Sequence, residues 1–315
     1  MDKLLIAGVD SVVGGNLAAW LSSRWDVAGL SWEHPLQVAE CRVALARERG
    51  TSPQAWQGEG KPQWVVFCGP SAESSWEVPS ASGSGSAARW SELAAQWARA
   101  ARDWQVPMTL ISSDAVFTGP WMFHRENGTC FCDSPQAVGY RQMEQAVLEA
   151  NPQALVVRTQ AFGWSPVAGR SGLPERVVET LVAGGAVRLD CQRHATPILA
   201  TDLADVLELA RQKSLSGVYH VGGGERVSPF RFGCLLADQF GLPLSGLAAD
   251  LTRGGLGREF GSIETSLQSR RIRKALDLPL PLIREGLARL HEQHVSGYRE
   301  RFNGEVSADS LARAA

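Results

Sequence analysis

Two glycines near the start of the chain are the first residues whose type and spacing could do chemistry. Gly8 and Gly14 bracket Val9-Asp10-Ser11-Val12-Val13, directly after the apolar run Leu4-Leu5-Ile6-Ala7 and directly before Gly15-Asn16-Leu17. A strand, a glycine turn and a helix start, in that order, aim backbone N–H groups and the positive helix end at one point, which suits the diphosphate of a dinucleotide. Gly8, Asp10, Ser11, Val12, Val13 and Gly14 are therefore candidate cofactor contacts. Any tight strand-to-helix turn wants glycine, so the spacing by itself leaves a purely structural turn open. Other reactive side chains form weaker sets. His124, Cys130, Cys132 and Asp133 could ligate a metal, but one C-x-C lacks the paired spacing of a zinc site, and His291 and His294 do not make H-E-x-x-H. No metal is expected.

Short runs rich in Val, Ile and Leu, at residues 3–8, 27–32, 63–69, 108–112 and 155–159, alternate with segments of helical period at 15–24, 87–104 and 141–150. Within the second of these helices Leu93, Trp97, Ala100, Ala101 and Trp104 share one stripe. Such alternation predicts βαβ units around a doubly wound parallel sheet, a Rossmann-type α/β fold. Farther on the order is less regular, with helices at 174–183, 202–212, 229–240 and 282–293 and strands at 187–190 and 217–221, which predicts a smaller C-terminal α/β lobe for substrate. The expected division is a dinucleotide-binding domain over 1–165 together with 200–224, a substrate-binding lobe over 166–300 and a frayed tail over 301–315. Residues 71–88, with Pro79-Ser80-Ala81-Ser82-Gly83-Ser84-Gly85-Ser86-Ala87 at their centre, bury too little apolar area to offset their ordering entropy and are expected to form a mobile loop.

Composition narrows the function classes. Lys plus Arg total 31 against 33 for Asp plus Glu in 315 residues, so a net charge of −2 gives no footprint for nucleic acid or an anionic membrane. No apolar run approaches the ~18 to 20 residues that span a bilayer. The first residues, Met1-Asp2-Lys3-Leu4, lack the basic flank of a signal peptide, and the six cysteines are scattered as reduced thiols would be, so a cytoplasmic setting is expected.

Beyond these patterns the residues carry a resemblance. Gly8 to Gly14 resembles the G-x-x-G-x-x-G of extended short-chain dehydrogenases/reductases, with Ser11 in place of the middle glycine. Ile111-Ser112-Ser113-Asp114-Ala115-Val116-Phe117-Thr118-Gly119 looks like the I-S-T-D-Y-V-F-D-G segment of dTDP-4-dehydrorhamnose reductases, and Leu155-Val156-Val157-Arg158-Thr159 resembles that family's next strand. Fainter echoes in the same order run through Thr196-Pro197, Asp202-Leu203-Ala204, Gly217-Val218-Tyr219-His220, Ser266-Leu267, Arg271-Ile272-Arg273-Lys274-Ala275-Leu276 and Glu285-Gly286-Leu287.

The resemblance implies an NAD(P)H-dependent reductase of 4-keto nucleotide sugars, with no preference between NAD and NADP readable and room for a homodimer. Ser31, at the end of the second predicted strand, and Cys68 and Gly69, at the end of the third, complete the expected cofactor contacts. Strand two ends Leu30-Ser31-Trp32-Glu33, without the Asp a ribose diol takes there or an Arg for a 2′-phosphate. In such enzymes a Ser or Thr holds the carbonyl, a Tyr supplies the proton, and a Lys four residues later binds the nicotinamide ribose and lowers the Tyr pKa. Ser113 matches the first role, or is a strand-end residue bonding its own backbone; Tyr140 is the candidate for the second, or a half-buried aromatic at a helix start. Arg193 lies where related families contact nucleotide-sugar phosphates, or in a surface salt bridge.

The third role has no occupant. Glu144 stands four residues after Tyr140, and the four lysines (Lys3, Lys61, Lys213, Lys274) leave none between Gln63 and Gln212. Aligning instead on Glu144-Gln145-Ala146-Val147 puts Gln136 at the Tyr position and Tyr140 at the Lys position, and the pair is lost again. A carboxylate one helical turn from a phenol raises its pKa where an ammonium would lower it. With Ser11 in the phosphate turn and a Ser/Gly stretch near the nicotinamide, three departures point to weakened catalysis. The alternative is a non-catalytic, regulatory member of the same fold that binds a nucleotide or nucleotide sugar.

Overall fold

The computed structural model describes residues 1–77, 87–251 and 260–302. The first lobe runs β1 (Lys3–Ala7), α1 (Val12–Leu21), β2 (Asp26–Ser31), β3 (Arg42–Leu45), α2 (Ala46–Arg49), β4 (Trp64–Cys68), α3 (Ala87–Asp103), β5 (Met108–Ser113), α4 (Pro135–Ala150) and β6 (Leu155–Thr159). Then come β7 (Ala161–Phe162), α5 (Leu173–Val182), β8 (Val187–Asp190), β9 (Ile198–Leu199), α6 (Ala200–Gln212), β10 (Gly217–His220), α7 (Pro229–Gln239), β11 (Leu247–Asp250), α8 (Arg270–Leu276) and α9 (Ile283–Val295).

Seven strands form one parallel sheet in the order β10-β6-β5-β4-β1-β2-β3. Parallel strands are covered on both faces, and the alternation of side chains shows how: Leu4 and Ile6 join a core with α1 and α6, while Leu5 and Ala7 join one with α3 and α4 on the other side. The strand order reverses between β1 and β4, and in open α/β sheets ligands bind at the carboxyl ends of strands where this happens. That point is bordered by the turn after Ala7 and by Gly69-Pro70 after β4. The fold is the Rossmann-type α/β arrangement the alternation predicts. The second lobe is built on α5, α7 and the pairing of β8 with β11, and the 3-10 turn Tyr298–Phe302 folds back onto the first lobe. Tyr298 donates to the carbonyl of Asn16 in α1 at 3.3 Å, and Arg301 accepts from the amide of Ala39 at 2.7 Å.

Several boundaries differ from the expectations for local reasons. Helix α1 starts at Val12 rather than at residue 15, because the Ser11 hydroxyl caps it by accepting from the Gly14 amide. Helix α4 starts at Pro135 rather than at residue 141, because Ser134 caps it and proline suits its first turn, which sets Tyr140 inside the helix. Residues 71–77, expected within a mobile loop, are pinned: Ser71 donates to the carbonyl of Ile111, Ser75 is bonded to Gln160, and Trp76 packs edge-on against Phe232. The rest of that loop, 78–86, and the tail beyond 302 lie outside the described residues. Arg301 and Phe302, expected in the frayed tail, belong to the packed turn, with Phe302 buried. Among the described residues no helix is long and apolar enough to cross a membrane.

Candidate functional site

At the switch point the glycine turn is closed from within. Gly8 has φ +99°, and a Cβ there would lie 1.8 Å from the Cys68 carbonyl oxygen, so only glycine lets β1 run this close to β4. A Cβ on Gly14 would lie 2.1 Å from the Gly8 carbonyl oxygen. Ser11, where the family pattern has its middle glycine, turns its hydroxyl inward and donates to the Gly8 carbonyl at 2.7 Å while accepting from Gly14 at 3.0 Å. Val12 and Val13, first in α1, keep amides without an intrahelical acceptor. Asp10 crosses to the tip of β2, where one carboxylate oxygen accepts from the amides of Glu33 at 2.9 Å and His34 at 3.4 Å; its other oxygen is buried without a partner among the described residues. Ser31 donates to the carbonyl of His34, and the Trp32 indole N–H donates to the Cys68 carbonyl at 2.8 Å. Trp32 packs against Phe67 and edge-on against Trp90.

Two adjoining hollows of about 100 and 230 Å³ open here, and Asp10, Ser11, Glu73 and Arg170 line both. The first also has Trp32, Cys68, Gly69, Trp90, Gln136 and Tyr140 on its wall, so four of the nine expected cofactor residues, Asp10, Ser11, Cys68 and Gly69, share it with Tyr140. The Tyr140 hydroxyl donates to the Pro70 carbonyl and accepts from the Gln136 amide, both at 2.9 Å. Burial pushes it up to about 12, the Gln136 hydrogen bond opposes this, and the charge of Glu73 adds to it. Among the described residues no cation contributes to this shift.

Glu144 does not face that hollow. It is buried beneath it and gripped side-on by Arg158 of β6, with Nε at 2.9 Å from Oε1 and Nη2 at 2.6 Å from Oε2, and it also accepts from the Ser112 hydroxyl. Arg158 in turn reaches His220 Nε2 at 3.5 Å and lies over the Phe117 ring at 5.0 Å. The His220 ring donates from Nδ1 to the His124 carbonyl at 3.0 Å; burial first and Arg158 second hold its pKa down to about 3, so the ring is neutral. The position one turn after the tyrosine has become part of a buried polar cluster. Sequence reasoning missed Arg158, though an arginine inside Leu155-Val156-Val157-Arg158-Thr159, a strand buried on both faces, was a signal that an acid must meet it.

Ser113 stands apart from both hollows. Its hydroxyl accepts from the Ala115 amide at 3.1 Å and points to Asp114, capping a short 3-10 turn. Asp114 is fully buried against the Thr265 hydroxyl, and desolvation raises its pKa to about 7 despite these hydrogen bonds. Arg193 is held at the junction of the lobes, with Nε at 2.8 Å from Asp190 Oδ2 and Nη1 donating to the Ser75 carbonyl at 3.1 Å.

A doubly wound parallel sheet with a capped glycine turn at its switch point defines a Rossmann-type protein. The chain belongs to the RmlD substrate binding domain family, whose model matches residues 2–295. It is 29% identical over 143 residues to methionine adenosyltransferase 2 subunit beta of Xenopus laevis, a match that takes in 44% of this chain and 43% of that relative. Among solved structures it is similar to dTDP-4-dehydrorhamnose reductase of Bacillus anthracis in complex with NADP, with a TM-score of 0.74 and 17% identity over 93% of this chain and 99% of the other. It is also similar to dTDP-glucose 4,6-dehydratase of the same organism in complex with NAD, with a TM-score of 0.71 and 12% identity over 94% and 97% of the two chains. At these identities the likeness is one of fold.

Proposed function

We propose that the protein is a nucleotide-sugar reductase-like member of this family, an extended short-chain dehydrogenase/reductase in its descent, which binds NAD(P)H and a nucleotide-linked sugar in its cleft with the proton-delivery step dismantled. The observation that carries this reading is the side-on lock of Glu144 onto Arg158 at the place where the resemblance calls for a lysine.

The residues present suit a dinucleotide. The amides of Val12 and Val13 are free at a helix start, Arg170 lines both hollows as a cation for a diphosphate, and Trp32 with Trp90 gives an aromatic wall for a base. A bound nicotinamide would supply hydride. Tyr140 would then have to leave the Pro70 carbonyl before giving its proton, and a phenol held at about 12 gives it up poorly. Glu144 offers neither a cation to lower that value nor a donor for ribose, because its carboxylate is spent on Arg158 and Ser112. The expected role is binding rather than turnover, as in a ligand-sensing or accessory chain, and the similarity to a relative named as a subunit of an adenosyltransferase supports that role. The six cysteines, none of them in a disulfide, support a cytoplasmic setting, and a homodimer is the assembly to test first.

Calorimetric titration with NADH, NADPH and dTDP-linked sugars, run beside an assay of cofactor oxidation on a panel of 4-keto nucleotide sugars, tests the proposal. Saturable binding with no oxidation is the expected result. Robust oxidation would restore the full reductase reading, and no binding of any of these ligands would remove both.

A further inference from the structure

The second strand ends without the acidic residue that takes a ribose diol in dinucleotide folds, yet a carboxylate stands there, delivered from the opposite side. Asp10 leaves the glycine turn and bridges the amides of Glu33 and His34, which places it across the tip of β2. Only one of its oxygens is used. The other is shielded from solvent and has no hydrogen-bond partner among the described residues, an arrangement that costs free energy unless a donor arrives. Asp10 also lines both hollows of the cleft, beside Trp32 in one and Val12 in the other, between the aromatic wall and the helix start. We infer that Asp10 accepts the ribose hydroxyls of the adenosine half of a bound dinucleotide and thereby selects NAD(H) over NADP(H), an inference that rests on the dinucleotide reading above.

The argument is one of donors and charge. A free 2′-hydroxyl has a proton to give to the orphaned oxygen; a 2′-phosphate ester has none at that atom. The phosphate would also enter the hollow beside Trp32, which already holds Asp10, Glu33 and Glu73 against Arg170. Arg170 lies with Nη1 3.0 Å from His34 Nε2 and is the group that a 2′-phosphate would need, so the rival outcome has a named residue. Three carboxylates against one guanidinium decide for the unphosphorylated cofactor.

The test measures binding of NADH and NADPH to the whole chain, by calorimetry and by quenching of tryptophan emission, with no turnover required. Wild type should prefer NADH by on the order of 100-fold. Asp10→Asn keeps an acceptor for the amides of Glu33 and His34 and removes the charge; it should bring the two affinities within about threefold, mostly by weakening NADH. Asp10→Ser, which gives up the bridge as well, should do the same, and its circular dichroism shows whether the turn has kept its fold. NADPH binding as tight as NADH to wild type, or an unchanged preference in a folded Asp10→Asn, would overturn the inference while leaving the dinucleotide reading intact. Failure of both nucleotides to bind would overturn the two together.

Discussion

The two ends of the cleft have been treated differently. At the glycine turn, the backbone approach of β1 to β4 is kept, and even Ser11 has been absorbed as a helix cap. One helix away, at Glu144, a position that the resemblance assigns to catalysis has been converted into structure. The difference teaches that a binding scaffold made of backbone is hard to lose, since any side chain at Gly8 or Gly14 collides with a carbonyl, whereas a catalytic side chain can be exchanged once a buried partner compensates it.

The comparison breaks most visibly at Arg158. Replacing it with Met leaves the Glu144 carboxylate buried with no cation and should cost about 3–5 kcal/mol in urea unfolding. The double variant Glu144→Met/Arg158→Met should recover most of that loss, and a double variant as unstable as the single one would show that the pair is not the source of the effect. Glu144→Lys should likewise destabilise, because it sets a second cation against Arg158, and it should confer no cofactor oxidation.

A medium effect follows from the neighbouring buried acid. Asp114 holds its proton up to about 7 in the fold, against an ordinary 3.8, so the stability it contributes is complete below about pH 3.8 and is lost as pH rises to about 7. His220 acts in the opposite sense: neutral in the fold down to about 3 but ordinarily titrating at 6.5, it contributes stability above about pH 6.5 that fades on acidification. The two slopes oppose each other between about pH 4 and 6.5. Asp114→Asn removes the first, so its unfolding free energy should climb with pH across that window and exceed wild type at pH 8, by a few kcal/mol in total. Parallel wild-type and variant pH profiles would sink this.

The smallest effect sharpens the contrast. Tyr140→Phe removes a hydroxyl that serves two hydrogen bonds within the protein, and should lower stability by about 1 kcal/mol while leaving NADH affinity unchanged in calorimetry. A large loss of affinity would return Tyr140 to the binding machinery.

Much of this was legible beforehand because it is periodic or local. Runs buried on both faces announced β1, β4, β5 and β6, and glycines at fixed spacing announced the turn. Strand β3 was not foreseen because four residues at a sheet edge, only Leu45 of them buried, leave no apolar run to detect. Some of the cleft's residues were readable, but its wiring was not: Glu144 to Arg158, Asp10 to the tip of β2 and Tyr140 to Pro70 join separate elements, and a pattern along one segment says nothing of its partner. Residues 71–77 misled for a related reason, since small polar side chains order well when buried acceptors such as Gln160 and the Ile111 carbonyl meet them.

The turn at Tyr298–Phe302 gives the molecule a timetable. Tyr298 rests on the Asn16 carbonyl across 282 positions of sequence, so the helix that springs from the glycine turn is secured by a segment made long after it. Such distant closure is slow, and a nascent chain halted before residue 298 would carry a nucleotide cradle that has not yet set.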